Sequence, residues 1–83
     1  MTLLTLEQMR ADVAEILGVE AEMVVDGENL VDIGLDSIRI MALAERWSTA
    51  DARINFDDLA EYPEIVSWHQ AVSGRHAAAH RRP

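Results

Sequence analysis

The sequence predicts a small all-α bundle, and three observations indicate this fold class. Apolar residues recur at helical spacing in several segments, no segment alternates cleanly enough for a strand, and 83 residues suffice for one compact domain. Hydrophobic residues make up 49% of the chain, which is enough for a core. No apolar run approaches the roughly 18 residues that cross a bilayer, so no membrane association is expected.

The first predicted helix follows Thr5, which together with Gln8 fits the capping-box pattern of a helix N-terminus. Its apolar positions are Leu6, Met9, Val13, Ile16 and Leu17. Gly18 is a natural helix stop. The stretch that follows, residues 19–36, has apolar anchors but no sustained period, and a loop of this length in so small a domain is often functional. The predicted anchors are Val24, Val25, Leu30 and Ile33.

The second predicted helix opens at Asp36 and Ser37 and has a core-facing stripe at i, i+3, i+4 and i+7. This stripe consists of Ile40, Leu43, Ala44 and Trp47. Asn55 is expected to cap a very short third helix. Pro63 suits the first position of a fourth helix. The stripe of that helix consists of Ile65, Trp68, His69 and Val72.

Charge divides the chain into two parts. All 15 acidic residues lie within residues 1–64, whereas residues 65–83 carry three arginines and no acid. We therefore predict a domain over residues 1–73 and a flexible basic tail over residues 74–83. The acidic domain repels phosphates, so no nucleic acid partner is expected and basic protein surfaces are favoured. The N-terminus lacks a signal-peptide pattern, and a cytoplasmic monomer is expected.

The composition argues against catalysis by this chain. Cysteine is absent, which excludes disulfides, zinc-thiolate sites and a protein thiol nucleophile. The histidines, His69, His76 and His80, lack the neighbouring carboxylates of a metal-binding set. Ser37 does not lie in the G-x-S-x-G pattern of hydrolases. No catalytic residue and no metal site are predicted.

The segment around Ser37 is the strongest functional signal. Short oxygen side chains such as those of Asp36 and Ser37 satisfy the free N–H groups at a helix N-terminus. Gly34 has no side chain and therefore permits a close approach to the backbone, and Leu35 anchors the loop. A phosphate ester on the Ser37 hydroxyl would lie where the helix dipole favours an anion. The segment therefore predicts an attachment point.

Residues 34–38, Gly-Leu-Asp-Ser-Ile, resemble the G-x-D-S-[LI] attachment motif of the phosphopantetheine-carrying proteins. The resemblance covers residues 5–73. It implies a four-helix carrier-protein bundle of three longer helices and a short third helix, with a long loop between the first two. Residues 36–47 and 54–68 are most similar to the aryl carriers of siderophore-type nonribosomal peptide synthesis. Arg39 stands where fatty-acid carriers usually have an acid.

The resemblance implies that Ser37 carries 4′-phosphopantetheine, transferred from coenzyme A by a phosphopantetheinyl transferase. Gly34, Leu35 and Asp36 would form the attachment site, and Asp36 would also orient the metal–phosphate complex during the transfer. The thiol of the arm would receive a hydroxybenzoate-like aryl acid from an adenylating ligase. A condensation domain of a nonribosomal peptide synthetase would accept the thioester. The chain is expected to be a carrier and not an enzyme.

A partner-binding patch is predicted on the second and third helices. It consists of Ile38, Met41, Ala42, Phe56 and Ala60. Phe56 has an equally good alternative as a core residue, because the single phenylalanine of a small domain is favourable to bury. A small apolar patch with a charged rim suits transient docking with several enzymes.

Two other functions stay open at this point. The chain also fits a peptidyl or polyketide carrier loaded with an amino or acyl group. It further fits an acidic helical adaptor without a prosthetic group, in which Ser37 is only a helix cap. Met1 near the first helix favours a separate protein or a trimmed fragment.

Overall fold

The computed structural model describes residues 4–50 and 52–80 of the chain. These residues form four α-helices and two 3₁₀ helices and contain no β-strand. The α-helices are α1 (Leu6–Leu17), α2 (Ser37–Trp47), α3 (Phe56–Ala60) and α4 (Ile65–His80). The predicted all-α bundle, with a short third helix and a long first connection, is confirmed.

Local capping fixes the bounds of α1. The backbone N–H of Gln8 donates to Oγ1 of Thr5 at 3.0 Å, as the capping pattern predicts. The side chain of Gln8 donates to Oδ1 of Asp12 at 3.1 Å and so supports α1 from within. Gly18 ends the helix in the left-handed conformation, with φ at 71°.

The core lies between α2 and the flanking helices. All residues of the predicted α2 stripe are buried. Trp47 of α2 meets Trp68 of α4 edge to face, with ring centroids 5.8 Å apart. The indole Nε1 of Trp47 donates to Asp12 of α1 at 2.9 Å, and that of Trp68 donates to the carbonyl of Leu59 in α3 at 2.6 Å. The two tryptophans therefore connect all four helices.

The connection between α1 and α2 is more regular than predicted. It contains 3₁₀ helices at Ala21–Met23 and Leu30–Ile33. Val24 and Leu30 are buried, as expected. Val25 is 48% exposed, so its prediction as an anchor was wrong. The backbone bends at Val24 and then enters a turn in which the N–H of Glu28 donates to the carbonyl of Val25 at 3.2 Å. Only the first of the two adjacent valines reaches the core.

Hydrogen bonds hold this connection against the rest of the bundle. The guanidinium of Arg10 in α1 donates to the backbone carbonyl of Val24 and to the carboxylate of Asp26. The backbone N–H of Leu30 donates to the carbonyl of Pro63 at 2.7 Å, which ties the loop to the α3–α4 connection. The segment before α2 is thereby bonded both to α1 and to the α3–α4 connection.

The prediction that Pro63 occupies the first position of the fourth helix was wrong. α4 begins at Ile65, and the carbonyl of Glu64 accepts the N–H of Trp68 at 3.0 Å. The carbonyl of Pro63 instead accepts the N–H of Leu30, the first residue of the second 3₁₀ helix. α4 thus starts two residues after the proline, whose carbonyl takes part in a tertiary contact.

α4 continues to His80, so the predicted boundary between residues 73 and 74 falls within this helix. Nη2 of Arg75 lies 2.7 Å from Oδ1 of Asp58 in α3. Nε2 of His76 lies 3.0 Å from the carbonyl oxygen of Trp47 at the end of α2. Residues 81–83 of the predicted tail lie outside the described residues. The domain division at residue 73 and the flexibility of the tail stay predictions.

Candidate functional site

Ser37 is the first residue of α2, and its side chain is exposed. The preceding residue, Asp36, is the N-cap and has an extended backbone, with φ at −120° and ψ at 177°. Oδ1 of Asp36 accepts the backbone N–H of Arg39 at 2.9 Å. This bond satisfies one of the free amides in the first turn and leaves the Ser37 hydroxyl at the positive end of the helix dipole.

The residues before Asp36 explain why the serine projects into solvent. The 3₁₀ helix Leu30–Ile33 ends at Gly34, whose φ of 111° favours glycine because other residues are strained there. The N–H of Gly34 donates to the carbonyl of Val31 at 3.1 Å, and that of Leu35 donates to the carbonyl of Leu30 at 3.2 Å. The side chain of Leu35 is only 2% exposed. Leu35 holds the chain on the core, and the chain then leaves the core at Asp36.

The consecutive residues Gly34, Leu35, Asp36 and Ser37 lie at the N-terminal end of α2, and each has a different structural role. Gly34 makes the turn, Leu35 is buried, Asp36 caps the helix, and Ser37 is exposed. The sequence motif therefore corresponds to a hydrogen-bonded turn that leaves the hydroxyl group of Ser37 exposed to solvent.

Asp36 also forms an ion pair. Its Oδ2 lies 2.8 Å from Nη1 of Arg39, and both side chains are about half exposed. Solvent screening limits the contribution of such a pair to stability to at most about 1 kcal/mol. The pair nevertheless places a guanidinium group beside the residue that precedes Ser37.

We define the outer face of α2 as Ile38, Met41 and Ala42, all of which are exposed. Ile38 is 78% exposed and Met41 is 58% exposed, which are high values for large apolar side chains. Val31 in the preceding 3₁₀ helix is 51% exposed and adds apolar surface that sequence reasoning missed. The sequence offered one indication of this exposure: Val31 stands between Leu30, which is buried, and the acidic residue Asp32.

Phe56 and Ala60 lie on α3, which packs against α2 and α4. Both residues are half-buried, and Phe56 packs against the core. Phe56 is therefore partly a core residue, and its place in a partner-binding patch stays a prediction.

Other exposed apolar residues lie outside the predicted patch. They are Met23, Val25 and Tyr62. Val25 lines an open surface groove together with Arg10 and Asp26, which are paired with each other. In the described part of the chain, no group of three or more histidine and acidic side chains is arranged to hold a metal ion.

Comparison with known proteins identifies the family. A family model described as "Phosphopantetheine attachment site" matches residues 7–72, which span α1 from its second residue, all of α2 and α3, and the first half of α4. The chain belongs to the phosphopantetheine-binding carrier family. The match includes the turn at Gly34 and the exposed Ser37.

Relatives from several bacteria support the assignment. The chain is 49% identical over 67 residues to phenyloxazoline synthase MbtB of Mycolicibacterium paratuberculosis, covering 81% of this chain and 6% of that protein. It is 44% identical over 54 residues to enterobactin synthase component B of Escherichia coli, covering 65% of this chain and 19% of that protein. The chain thus spans a small part of these two relatives.

A third relative is of similar size. The acyl carrier protein ScoB of Streptomyces coeruleorubidus is 42% identical over 76 residues, covering 92% of this chain and 89% of that protein. No solved structure gave a match.

Family membership determines the cofactor and the kind of function. The chain bears a covalently attached 4′-phosphopantetheine arm and is a carrier without catalytic activity of its own. The acidic adaptor without a prosthetic group is therefore not retained. Among the described residues, no helix is both long enough and apolar enough to cross a membrane.

Proposed function

We propose that this chain is an aryl carrier protein whose 4′-phosphopantetheine arm is esterified to Ser37. The observation that carries the proposal is the exposed hydroxyl of Ser37 at the first position of α2, inside the region that the family model matches. The helix N-terminus suits the phosphate of the arm, because its free amides and dipole favour an anion. The arm supplies a thiol, which the cysteine-free chain lacks.

The residues around Ser37 have separate roles in this proposal. Gly34 and Leu35 hold the turn, and Asp36 caps α2 and would orient the metal–phosphate complex during priming. The Oγ atom of Ser37 forms a bond to the phosphorus of coenzyme A that bears the pantetheine group. The bond from that phosphorus to adenosine 3′,5′-bisphosphate breaks, and the hydroxyl proton passes to a base of the phosphopantetheinyl transferase.

An aryl acid of the hydroxybenzoate class is the proposed cargo. The phenyl group in the name of the relative from Mycolicibacterium paratuberculosis is an aryl group, which supports an aryl cargo. Carriers of nonribosomal synthesis work with a transferase, an adenylating enzyme and a condensation partner. We assign these partners to this chain as an aryl-acid ligase and a condensation domain in cytoplasmic siderophore-type synthesis.

The outer face of α2, with Phe56 and Ala60 of α3, is the proposed surface for these partners. Exposure of Ile38 and Met41 supports it, because apolar side chains on a helix next to the arm give a partner contact area without unfolding the core. The carrier unit is proposed to be residues 1–73, acting as a monomer, with the basic residues 74–83 following it.

Priming tests the attachment residue directly. The chain is coexpressed with a promiscuous phosphopantetheinyl transferase, and its intact mass is measured. The wild-type protein should gain one arm and Ser37→Ala should gain none. Ser73→Ala, which changes a half-buried serine in α4, is the matched control and should be primed like the wild type. An unmodified wild-type protein, or an arm on Ser37→Ala, would refute the assignment.

A peptidyl or polyketide carrier is the second candidate, because the similarly sized relative is named an acyl carrier protein. Loading the primed protein with ligases for salicylate, dihydroxybenzoate and amino acids separates the two. Thioester formation with a hydroxybenzoate, detected by mass, supports the aryl carrier. Loading with amino acids alone contradicts it.

A further inference from the structure

Arg39 is isolated among acidic residues. It is the single basic residue between Arg10 and Arg46, an interval that carries nine acidic residues. Ser37 lies within the same interval, two positions before Arg39. The guanidinium of Arg39 is therefore the positive charge nearest to Ser37 along the chain.

The side chain of Arg39 folds back over the first turn of α2. Both oxygens of Asp36 contact Arg39: Oδ1 accepts its backbone N–H at 2.9 Å and Oδ2 accepts Nη1 at 2.8 Å. Asp36 directly precedes Ser37, so its bond at 2.8 Å holds the guanidinium of Arg39 at the same end of α2 that carries the Ser37 hydroxyl. The Arg39 side chain is 44% exposed, so part of the guanidinium faces solvent.

Attachment of the arm changes the charge at this turn. A phosphodiester on Ser37 adds one negative charge next to the carboxylate of Asp36, in a chain whose net charge is already −8. The helix dipole offsets part of this repulsion. A guanidinium group offsets more, because its planar set of five N–H donors matches phosphate oxygens and serves two acceptors together.

We propose that Arg39 is a positioning residue for the arm and binds the phosphodiester on Ser37. This inference rests on the proposed attachment at Ser37. Before priming, the guanidinium pairs with Asp36 alone; after priming, it bridges Asp36 and the phosphodiester. The bridge neutralises the added charge and restricts the direction in which the arm leaves α2.

Apo and holo forms of three variants test the bridge. The variants are Arg39→Gln, Arg39→Lys and, as the matched control, Arg53→Gln. Arg53 is also exposed and paired, with Nη2 3.0 Å from Glu45, and it lies outside α2. Intact mass establishes the arm on each holo protein, which is separated from the apo form by ion exchange. The readouts are the thermal midpoint and the ³¹P chemical shift of the phosphodiester.

Priming should raise the thermal midpoint of the wild type by more than it raises the midpoint of Arg39→Gln. We expect the holo-minus-apo difference in midpoint to be lower in Arg39→Gln by about 3 °C, the size expected for an anion that loses its partner at a helix N-terminus. The ³¹P resonance should shift in the same variant. Arg39→Lys should recover most of the midpoint difference, because it keeps the charge, but less of the ³¹P shift, because it lacks the planar fork. Arg53→Gln should match the wild type.

The outcomes separate this inference from the attachment itself. An arm on wild type and Arg39→Gln, with the same midpoint difference and the same ³¹P shift in both, overturns the role of Arg39 and leaves Ser37 as the attachment residue. An equal loss in Arg53→Gln also overturns it, because the effect would then be general electrostatics. A wild type that gains no arm refutes the attachment and this inference together.

Discussion

The inner face of α2 consists of its buried residues, Ile40, Leu43, Ala44 and Trp47. This face and the outer face are both apolar but have opposite environments. Ile40 and Leu43 on the inner face are 4% and 0% exposed, whereas Ile38 and Met41 on the outer face are 78% and 58% exposed. The two faces alternate along the same helix, so helix propensity does not distinguish them. The difference shows that hydrophobicity places a residue in the core only when a neighbouring element covers that side of the helix.

The contrast also separates stability from function. Burial of the inner face contributes free energy to folding, since each fully buried aliphatic side chain contributes about 1.5–3 kcal/mol. The outer face contributes little of this kind to the isolated chain, because its side chains remain in water. Substitutions on the two faces should therefore have different consequences. One substitution on each face, and one at the N-cap of α2, test the comparison.

Leu43→Ala should have the largest effect on stability. Leu43 is fully buried, and its truncation leaves a cavity in the core, so we expect the free energy of unfolding to fall by about 3 kcal/mol. Urea unfolding followed by tryptophan fluorescence measures this, because Trp47 and Trp68 lie in the same core. Ile38→Ala is the control on the outer face and should change stability by less than about 0.5 kcal/mol. Equal losses in the two variants would contradict the comparison.

Asp36→Ala should have an intermediate effect. Asp36 caps the N-terminus of α2, on which both faces depend, and removal of such a cap costs about 1 kcal/mol. Asp36→Asn is the matched variant, since its side-chain oxygen can still accept the N–H of Arg39. The same urea experiment should show the asparagine variant closer to the wild type. If alanine and asparagine were equally stable, the ion pair with Arg39 and not the cap would be the main contribution.

Met41→Ala should have the smallest effect on stability and a large effect on partner binding. Met41 is 58% exposed, so we expect a stability change below about 0.5 kcal/mol. If the outer face contacts the condensation partner, transfer of the aryl group should slow by about tenfold, which corresponds to about 1.4 kcal/mol.

Met23→Ala is the matched control for this prediction. Met23 is the same residue type and is 55% exposed, but it lies in the first 3₁₀ helix and not on α2. Its substitution should leave both stability and transfer unchanged. Transfer kinetics with the primed, loaded protein measure the difference, and an equal slowing in both variants would place the docking surface elsewhere.

Features that depend on local interactions were predictable from the sequence. Thr5 and Asp36 cap the helices that they were predicted to cap, because a cap involves residues only three positions apart. The turn at Gly34 was also predictable, since its backbone conformation strains residues other than glycine. The inner face of α2 was predictable because its residues follow the helical period.

Features that depend on distant residues were not predictable in the same way. α4 begins two residues after Pro63, whose carbonyl accepts the N–H of Leu30, 33 positions away. Val25 is exposed between Val24 and Asp26, both of which Arg10 of α1 contacts. No local pattern reports these contacts, and the local signals gave the wrong residue in both cases.

The sequence by itself determined that this protein is helical, where α1 and α2 are capped, and which serine stands at the head of α2. Capping and periodicity are properties of neighbouring residues, so they need no knowledge of the fold. The tertiary structure decided which apolar side chains remain in water. The exposure of Ile38, Met41 and Val31 depends on how the other elements pack, because burial is a relation between segments far apart in the chain.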